Sequence, residues 1–264
     1  MTYETIVLEE DTRGIATLTL NRPDKHNALS AQMIAELTEV AGAISESKTI
    51  RVVILAGEGK SFCAGGDLGW MKAQTTKSDD EKVKEGMKLA TMLQALDDLP
   101  KPLIAKVEGS AFGGGLGMMC VSDIVIAANR AKFGLTETKL GLIPATIGPY
   151  VVRRLGEGHA RRVFMNSAIF DTEEALRIGL ISKAVFIEDL DQAALIEAEA
   201  FLNCAPNAVA DAKTFCKTLA RTTDNMKNMS AEALAGRWKS PESHEGIAAF
   251  FEKRKPSWAP AENK

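Results

Sequence analysis

The chain has 264 residues, of which 45% are hydrophobic and 25% are charged, and its formal net charge at pH 7 is −3. A chain of this length and composition can bury a sizeable core, which excludes a disordered or fibrous protein. The slightly negative charge disfavours a nucleic-acid partner, since such a protein would need a local basic patch.

The predicted elements begin with a hairpin of residues 5–9 and 15–20, which alternate β-branched and apolar side chains. Ser30 then caps a helix whose apolar residues recur at helical spacing, namely Met33, Ile34, Leu37, Val40 and Ile44. A long surface helix is predicted over 78–99, and short buried strands at 52–55, 102–107 and 124–128. This strand–turn–helix alternation predicts an α/β fold in which helices cover parallel strands.

From Thr172 onward the pattern becomes mostly helical and rich in Ala, Glu and Lys. One short strand is predicted at 181–186, and helices are predicted at 172–178, 188–203, 206–222 and 241–254. We therefore predict two parts, an α/β core over residues 1–190 and a helical region over residues 191–264. The helical region is expected to pack on the core or on a neighbouring copy.

The cysteines and histidines give no metal-binding pattern. No CxxC pair joins Cys63, Cys120, Cys204 and Cys216, and the histidines, His26, His159 and His244, are far apart. The N-terminus has no secretory signal pattern, and no run approaches the roughly 18 apolar residues of a membrane span. We expect reduced thiols, a cytoplasmic location, no metal and no membrane partner.

Two glycine-rich loops follow predicted strands and precede helical patterns, at 64–67 and 112–115. The nearby segment 57–61 is not a P-loop, because Ile54 stands where that pattern needs its first glycine. The run 113–117 is not a dinucleotide fingerprint, because the final glycine would fall at Met118 or Cys120. Glycines leave backbone N–H groups unshielded, and two such groups facing each other would form an oxyanion hole. The alternative is that these glycines only make tight turns.

Four segments together resemble the enoyl-CoA hydratase/isomerase, or crotonase, superfamily: NRPDKHNALS (21–30), GKSFCAGGDLGWM (59–71), GSAFGGGLGMMCVSDI (109–124) and FGLTETKLGLIP (133–144). The likeness continues to AAFFEKRKPSW (248–258) and so covers nearly the whole chain. The resemblance implies a crotonase-like spiral of ββα turns and a C-terminal helical trimerisation region. It also implies a homotrimer or a hexamer built as a dimer of trimers.

Carried over to this chain, the resemblance makes the N–H groups of Gly66 and Gly114 the oxyanion donors for an acyl-CoA thioester. It makes Glu137 the catalytic acid–base group, against the alternative of a glutamate that merely favours a helix dipole. The positions that line the coenzyme A groove are Lys25, Ala28, Ala64, Asp67, Leu68 and Gly113. Phe250 and Lys253 are expected to reach the coenzyme of a neighbouring subunit. Coenzyme A is part of the substrate, so no cofactor is expected.

Some of these positions have simpler interpretations. In the alternative interpretation, Lys25 and Lys253 are ordinary solvated charges and Phe250 packs against a neighbouring helix.

One position departs from the family pattern. Hydratases of this family carry a second glutamate where this chain has Gly117. The segment 135–162, with ATIGPY, is similar to hydratases of methylglutaconyl-CoA, in leucine degradation, and of isohexenylglutaconyl-CoA. The carboxylate of such a substrate offers one replacement for the missing glutamate.

The resemblance favours an enoyl-CoA hydratase that adds water across the 2,3 double bond of a short or branched, methylglutaconyl-CoA-like substrate, as in fatty acid β-oxidation. One alternative is a 3,2-enoyl-CoA isomerase with Glu137 as its single base. Another is a non-catalytic protein that binds acyl-CoA or RNA, to which the basic run 253–255 would contribute.

Overall fold

A computed structural model of the chain describes residues 2–204, 206–219, 226–254 and 256. Its strands are β1 (Ile6–Glu10), β2 (Ile15–Leu20), β3 (Val52–Gly57), β4 (Ser61–Cys63), β5 (Leu103–Val107), β6 (Ser110–Phe112), β7 (Ile124–Ala128), β8 (Phe133–Gly134) and β9 (Lys183–Val185). Its helices are α1 (Ala31–Glu46), α2 (Leu68–Gln74), α3 (Asp79–Asp97), α4 (Gly114–Val121), α5 (Gly148–Asn166), α6 (Thr172–Arg177), α7 (Leu190–Leu202), α8 (Pro206–Leu219), α9 (Met226–Trp238) and α10 (Pro241–Phe251).

The strands form two sheets, and the chain passes repeatedly from the larger sheet to the smaller one. The larger sheet has the order β1-β2-β3-β5-β7-β9, antiparallel only between β1 and β2, and the smaller has the order β4-β6-β8 and is parallel. The pairs β3–β4, β5–β6 and β7–β8 each place one strand in each sheet before a helix follows. The predicted α/β fold with a spiral of ββα turns is therefore confirmed.

Both faces of the central parallel strands of the larger sheet are buried, as parallel sheets require. Alternate residues of β3 show this, because Val53 and Leu55 pack in the main core with α1 and α3, whereas Ile54 packs in a second cluster with α7. The apolar positions predicted for α1 are all buried, and the Ser30 Oγ accepts a hydrogen bond from the Met33 N–H at 3.2 Å. The sequence pattern thus determined both the helix and the face that it buries.

The helical region after residue 190 packs on the core of the same chain. Helix α7 covers one face of the larger sheet, and α9 packs along α3. The division into parts at residue 190 stays a prediction, and residues 220–222 of the predicted helix 206–222 lie outside the described residues. Within the described part of the chain, no helix combines the length and the hydrophobicity that crossing a membrane requires.

Two helices and three short strands were not predicted. Helix α5 contains Gly148, Pro149 and a kink at Gly156, where φ is 73°, so its apolar residues do not follow one helical period. Helix α9 has no clear apolar stripe in its sequence, MKNMSAEALAGRW. Strands β4, β6 and β8 are only two or three residues long, too short for an alternating pattern to mark them.

Candidate active site

A cavity of about 240 Å³ opens where the loops after β4 and β6 meet the C-terminal helices. Its wall is mostly apolar and includes residues of α1, α2, α3, α9 and α10. The lining residues that the chemistry concerns are Leu29, Gly66, Gly113, Gly114, Glu137 and Ile147. The structure therefore brings together the two glycine loops and the glutamate that the sequence singled out.

The loop after β4 is held by a parallel bridge between Leu29 and Gly66. The Leu29 N–H donates to the Gly65 carbonyl at 2.8 Å, and the Asp67 N–H donates to the Leu29 carbonyl at 3.0 Å. Because these two bonds flank Gly66, its own N–H faces the opposite side of the strand. Among the described residues this N–H has no acceptor.

The loop after β6 turns sharply at Gly113, whose φ is 46° and ψ is −116°, a conformation that only glycine adopts freely. Helix α4 begins at the next residue, so the Gly114 N–H is one of the donors that a helix leaves unsatisfied in its first turn. No acceptor for it is found in the described part of the chain. The two loops are adjacent, since a Cβ on Gly113 would lie 3.7 Å from the Gly65 Cα.

Glu137 begins a 3₁₀ helix, Glu137–Leu140, and points its carboxyl group at the Gly113 loop. A Cβ on Gly113 would lie 3.1 Å from the Glu137 Oε1. The residue is partly accessible through the cavity, but its Oε2 is buried and has no hydrogen-bond partner among the described residues. Burial disfavours the charged form and raises the pKa of Glu137 to about 7. This carboxyl group is thus poised for proton transfer near neutral pH.

The predicted coenzyme-groove residues divide into two sets. Ala64, Leu68, Gly113 and Phe250 line the cavity. Phe250 lines the cavity of its own chain, whereas the resemblance implied contact with a neighbour's coenzyme. Ala28 is buried beside Leu29, and Lys25 and Lys253 are exposed and lie outside the cavity wall. The roles of all these residues stay predictions.

Asp67 is fully engaged within the chain. Its Oδ1 accepts from the N–H groups of Gly69 and Trp70 at 2.9 and 3.1 Å, which caps α2. Its Oδ2 pairs with the Arg22 guanidinium at 3.0 Å. These hydrogen bonds and the nearby charge of Arg22 outweigh partial burial and lower the pKa of Asp67. Asp67 therefore fixes the loop that presents Gly66.

The place of the missing second glutamate is filled by an apolar side chain. A Cβ on Gly117 would overlap Ile147, coming within 3.0 Å of its Cβ, and would lie 3.6 Å from the Leu93 Cδ2. Two nearby acidic residues point elsewhere, since Glu108 pairs with Arg130 at the surface and Asp123 accepts from the Leu103 N–H at 2.7 Å. Among the described lining residues, Glu137 is the only carboxylic acid.

Several lining residues were not singled out from the sequence. Thr136 and Thr146 bring hydroxyl groups to the cavity wall, and Leu142, Leu234 and Trp238 supply apolar surface. The threonines lie beside Glu137 and in the ATIGPY segment, so the quoted motifs contained them. Leu234 and Trp238 belong to α9, whose sequence carries no comparable pattern.

Asn27 holds the loop that leads to Leu29. It is completely buried at a φ of 54°, its Oδ1 accepts from the Arg22 N–H, and its Nδ2 donates to the carbonyls of Glu58 and Ser61 at 2.9 and 2.8 Å. We expect Asn27→Ala to lower the free energy of unfolding by about 3 kcal/mol, because it leaves buried polar groups unpaired. Thermal unfolding followed by circular dichroism measures this loss. The exposed Asn203→Ala is the matched control, and equal melting temperatures for the two variants would contradict the expectation.

Comparisons with known proteins agree with this geometry. The model of the enoyl-CoA hydratase/isomerase family matches residues 10–261. The crotonyl-CoA hydratase of Syntrophomonas wolfei is 33% identical over 261 residues, which cover 98% of this chain and 99% of that protein. Crystal structures of enoyl-CoA hydratases from Shewanella pealeana and Mycobacterium avium are 38% and 31% identical, with TM-scores of 0.80 and 0.86. They cover 97% and 98% of this chain, and the matches span 96% and 100% of those chains. The chain belongs to the enoyl-CoA hydratase/isomerase family.

Proposed function

We propose that the protein is an enoyl-CoA hydratase that adds water across the 2,3 double bond of a short or branched enoyl-CoA. The observation that carries the proposal is the unpartnered, buried Oε2 of Glu137 in a cavity that also contains two backbone N–H groups without acceptors among the described residues. The names of the relatives from Syntrophomonas, Shewanella and Mycobacterium support hydration as the reaction.

In the proposed reaction the thioester carbonyl lies between the N–H groups of Gly66 and Gly114. Glu137 takes a proton from water while the water oxygen bonds to the β-carbon, and the double-bond electrons move onto the thioester oxygen. The two N–H groups stabilise the negative charge that develops there. Protonated Glu137 then gives the proton to the α-carbon, which regenerates the carbonyl and the carboxylate.

The cavity wall supports a neutral acyl group. Its described lining residues include no Lys, Arg or His, so a distal carboxylate would meet no cationic partner there. Beside Gly117, where that carboxylate would replace the missing glutamate, the neighbours are Ile147 and Leu93. Burial of an unpaired carboxylate is costly. A methylglutaconyl-type substrate stays a prediction from the sequence, and we propose a short unbranched or branched aliphatic acyl chain as the preferred one.

The test is a substrate panel that measures loss of the conjugated enoyl-thioester absorbance. Crotonyl-CoA, a branched neutral enoyl-CoA and 3-methylglutaconyl-CoA are each incubated with the protein, and the 3-hydroxyacyl product is identified by mass. Turnover of the neutral substrates is expected. Absence of hydration with the whole panel would overturn the proposed function, and hydration of 3-methylglutaconyl-CoA alone would overturn the neutral acyl group.

The apolar surroundings of Gly117 favour a second candidate, a 3,2-enoyl-CoA isomerase. Isomerisation needs one base that removes and returns a proton and needs no water held at the β-carbon. Incubation with a 3-enoyl-CoA distinguishes the two reactions, because an isomerase increases the conjugated absorbance without forming a 3-hydroxyacyl product. No reaction of the 3-enoyl-CoA, under conditions in which crotonyl-CoA is hydrated, would exclude this candidate.

We also propose that the protein assembles as a homotrimer or as a hexamer of two trimers. Apolar side chains that are 42–68% exposed support an interface near the end of α5, namely Met165, Ile169 and Leu176. Sedimentation equilibrium measures the molecular mass, and a monomer at micromolar concentration would contradict the assembly.

A further inference from the structure

Helix α10 lies directly against the 3₁₀ helix that carries Glu137. The contact is made at Gly246, where a Cβ would lie 2.5 Å from the Leu140 carbonyl oxygen and 2.6 Å from the Leu140 Cα. These are backbone atoms, so a side chain at position 246 requires one of the two segments to move. The absence of a side chain at residue 246 therefore sets how closely α10 approaches the 3₁₀ helix.

The inner face of α10 continues from this contact to the cavity. Ser243 and Gly246 are buried, Ile247 packs with Leu142 and Trp238, and Phe250 lines the cavity one turn further on. Residues spaced by three and four share one face of a helix. One face of α10 thus contacts both the segment that carries the glutamate and the cavity itself.

The turn after Glu137 is short and internally bonded, so a displacement at Leu140 reaches the glutamate. The Leu142 N–H donates to the Glu137 carbonyl at 3.0 Å, and the Gly141 N–H donates to the Thr138 carbonyl at 3.2 Å. Helix α10 is stabilised within itself, since Arg254, just beyond its end, donates two hydrogen bonds of 2.7 and 2.8 Å to the Glu245 carboxylate. Its start is capped by Ser240, whose Oγ accepts from the Ser243 N–H at 3.1 Å. The 3₁₀ helix has four residues, against eleven in the capped α10, so we expect it to be the segment that yields.

We infer that Gly246 is a positioning residue for Glu137: its close approach to Leu140 holds the carboxyl group in the buried, unpartnered orientation that catalysis uses. This inference rests on the proposed function in one respect, that Glu137 transfers the proton. The helix that positions the catalytic group lies about 100 residues after it in the chain, and so links folding of the C-terminal helices to the rate of the reaction.

The test is Gly246→Ala in the full-length protein, with Gly236→Ala as the matched control. Gly236 lies in α9, and outside the backbone of that helix no atom of the described residues lies within 4 Å of the position that its Cβ would take. Gly246→Ala is expected to lower kcat for hydration by about 10- to 100-fold with KM little changed, because small displacements of a reacting group have effects of that size. Gly236→Ala is expected to retain the wild-type kcat.

A second readout does not depend on turnover. A carbon-13 NMR titration follows the Glu137 carboxyl, whose signal is assigned by its loss in Glu137→Gln. Displacement towards solvent in Gly246→Ala is expected to lower the pKa of Glu137 from about 7 towards its ordinary value. If the wild-type protein hydrates no substrate, the proposed function fails, whereas the NMR titration still tests the positioning.

Two results would overturn the inference. One is a folded Gly246→Ala protein whose kcat and Glu137 titration equal those of the wild type, which would show that α10 moves instead. The second result applies if Gly246→Ala does not fold. In that case Ile247→Val, which removes one methyl group from the same helix face, is measured in its place. An unchanged kcat and an unchanged Glu137 titration in Ile247→Val would then reject the inference, and a smaller shift in the same direction would support it.

Discussion

Glu137→Gln is expected to lower kcat for hydration by about 10²- to 10⁴-fold, the usual contribution of a general acid–base group. The amide keeps the shape of the side chain but neither accepts the proton of water nor returns it to the α-carbon. Initial rates from the loss of enoyl-thioester absorbance measure the effect. Glu108→Gln is the matched control, because Glu108 pairs with Arg130 at the surface, 2.8 Å away, outside the cavity wall. Equal rates for Glu137→Gln and wild type would remove Glu137 from the reaction.

The raised pKa of Glu137 also predicts the pH dependence of the rate. The ionised carboxylate is the form that activates water, and its pKa is about 7. We therefore expect kcat/KM to rise with pH and to level off above about 7. A profile that is flat between pH 5 and pH 9 would contradict a base with this pKa.

The free energy of unfolding is expected to fall as pH rises, whereas the rate of hydration rises. Burial raises the pKa of Glu137 from 4.5 to about 7, so the folded protein binds the proton more tightly than the unfolded chain. The contribution of this protonated carboxyl group to the free energy of unfolding is fully present below pH 4.5 and is lost as pH rises through about 7. At pH 8, Glu137→Gln is expected to be more stable than wild type by up to about 3 kcal/mol. Urea unfolding at pH 5 and pH 8 measures the difference, which should be smaller at pH 5.

Gly113→Ala is expected to have the second large effect, on both activity and stability. The residue has a φ of 46°, and the new methyl group would lie 3.1 Å from the Glu137 Oε1. The backbone strain costs about 1–3 kcal/mol. Displacement of the carboxyl group by the methyl group is expected to lower kcat by about 10²-fold.

The matched control is Gly158→Ala in α5, where no described atom outside the helix's own backbone lies within 4 Å of the new Cβ. Melting temperature and kcat are measured for both variants. A Gly113→Ala protein with the kcat of Gly158→Ala would show that the carboxyl group tolerates the methyl group and that Gly113 serves only the turn.

The parts of the fold that followed from the sequence are those with a strong local pattern. β7 was predicted at its observed bounds because residues 124–128 form a continuous apolar run between polar residues. Helix α1 followed from its Ser30 cap and its regular apolar spacing. Helix α5 did not, because Gly148, Pro149 and Gly156 interrupt the helical period that the prediction relied on.

The residues of the candidate site also fall into those that a local motif contains and those that only long-range packing brings in. The quoted motifs contained Gly66, Gly114 and Glu137, and the structure brings all three to one cavity. No local pattern could show that Leu234 and Trp238 line that cavity, since they lie about 100 residues beyond Glu137. The burial of Glu137 depends on such long-range packing, and the raised pKa of Glu137 depends on that burial.

The contact between Gly117 and Ile147 constrains the order in which mutations can accumulate at this site. A carboxylate side chain at position 117 requires Ile147 to move, because its first carbon would overlap the Ile147 Cγ2 and lie 3.0 Å from the Ile147 Cβ. If Ile147 is shortened first, it leaves a void, and voids of this kind cost about 1 kcal/mol or more. Each single substitution is therefore expected to destabilise the protein, so we expect the two positions to change as a pair. A laboratory selection for a second carboxylate should accordingly recover substitutions at both positions together.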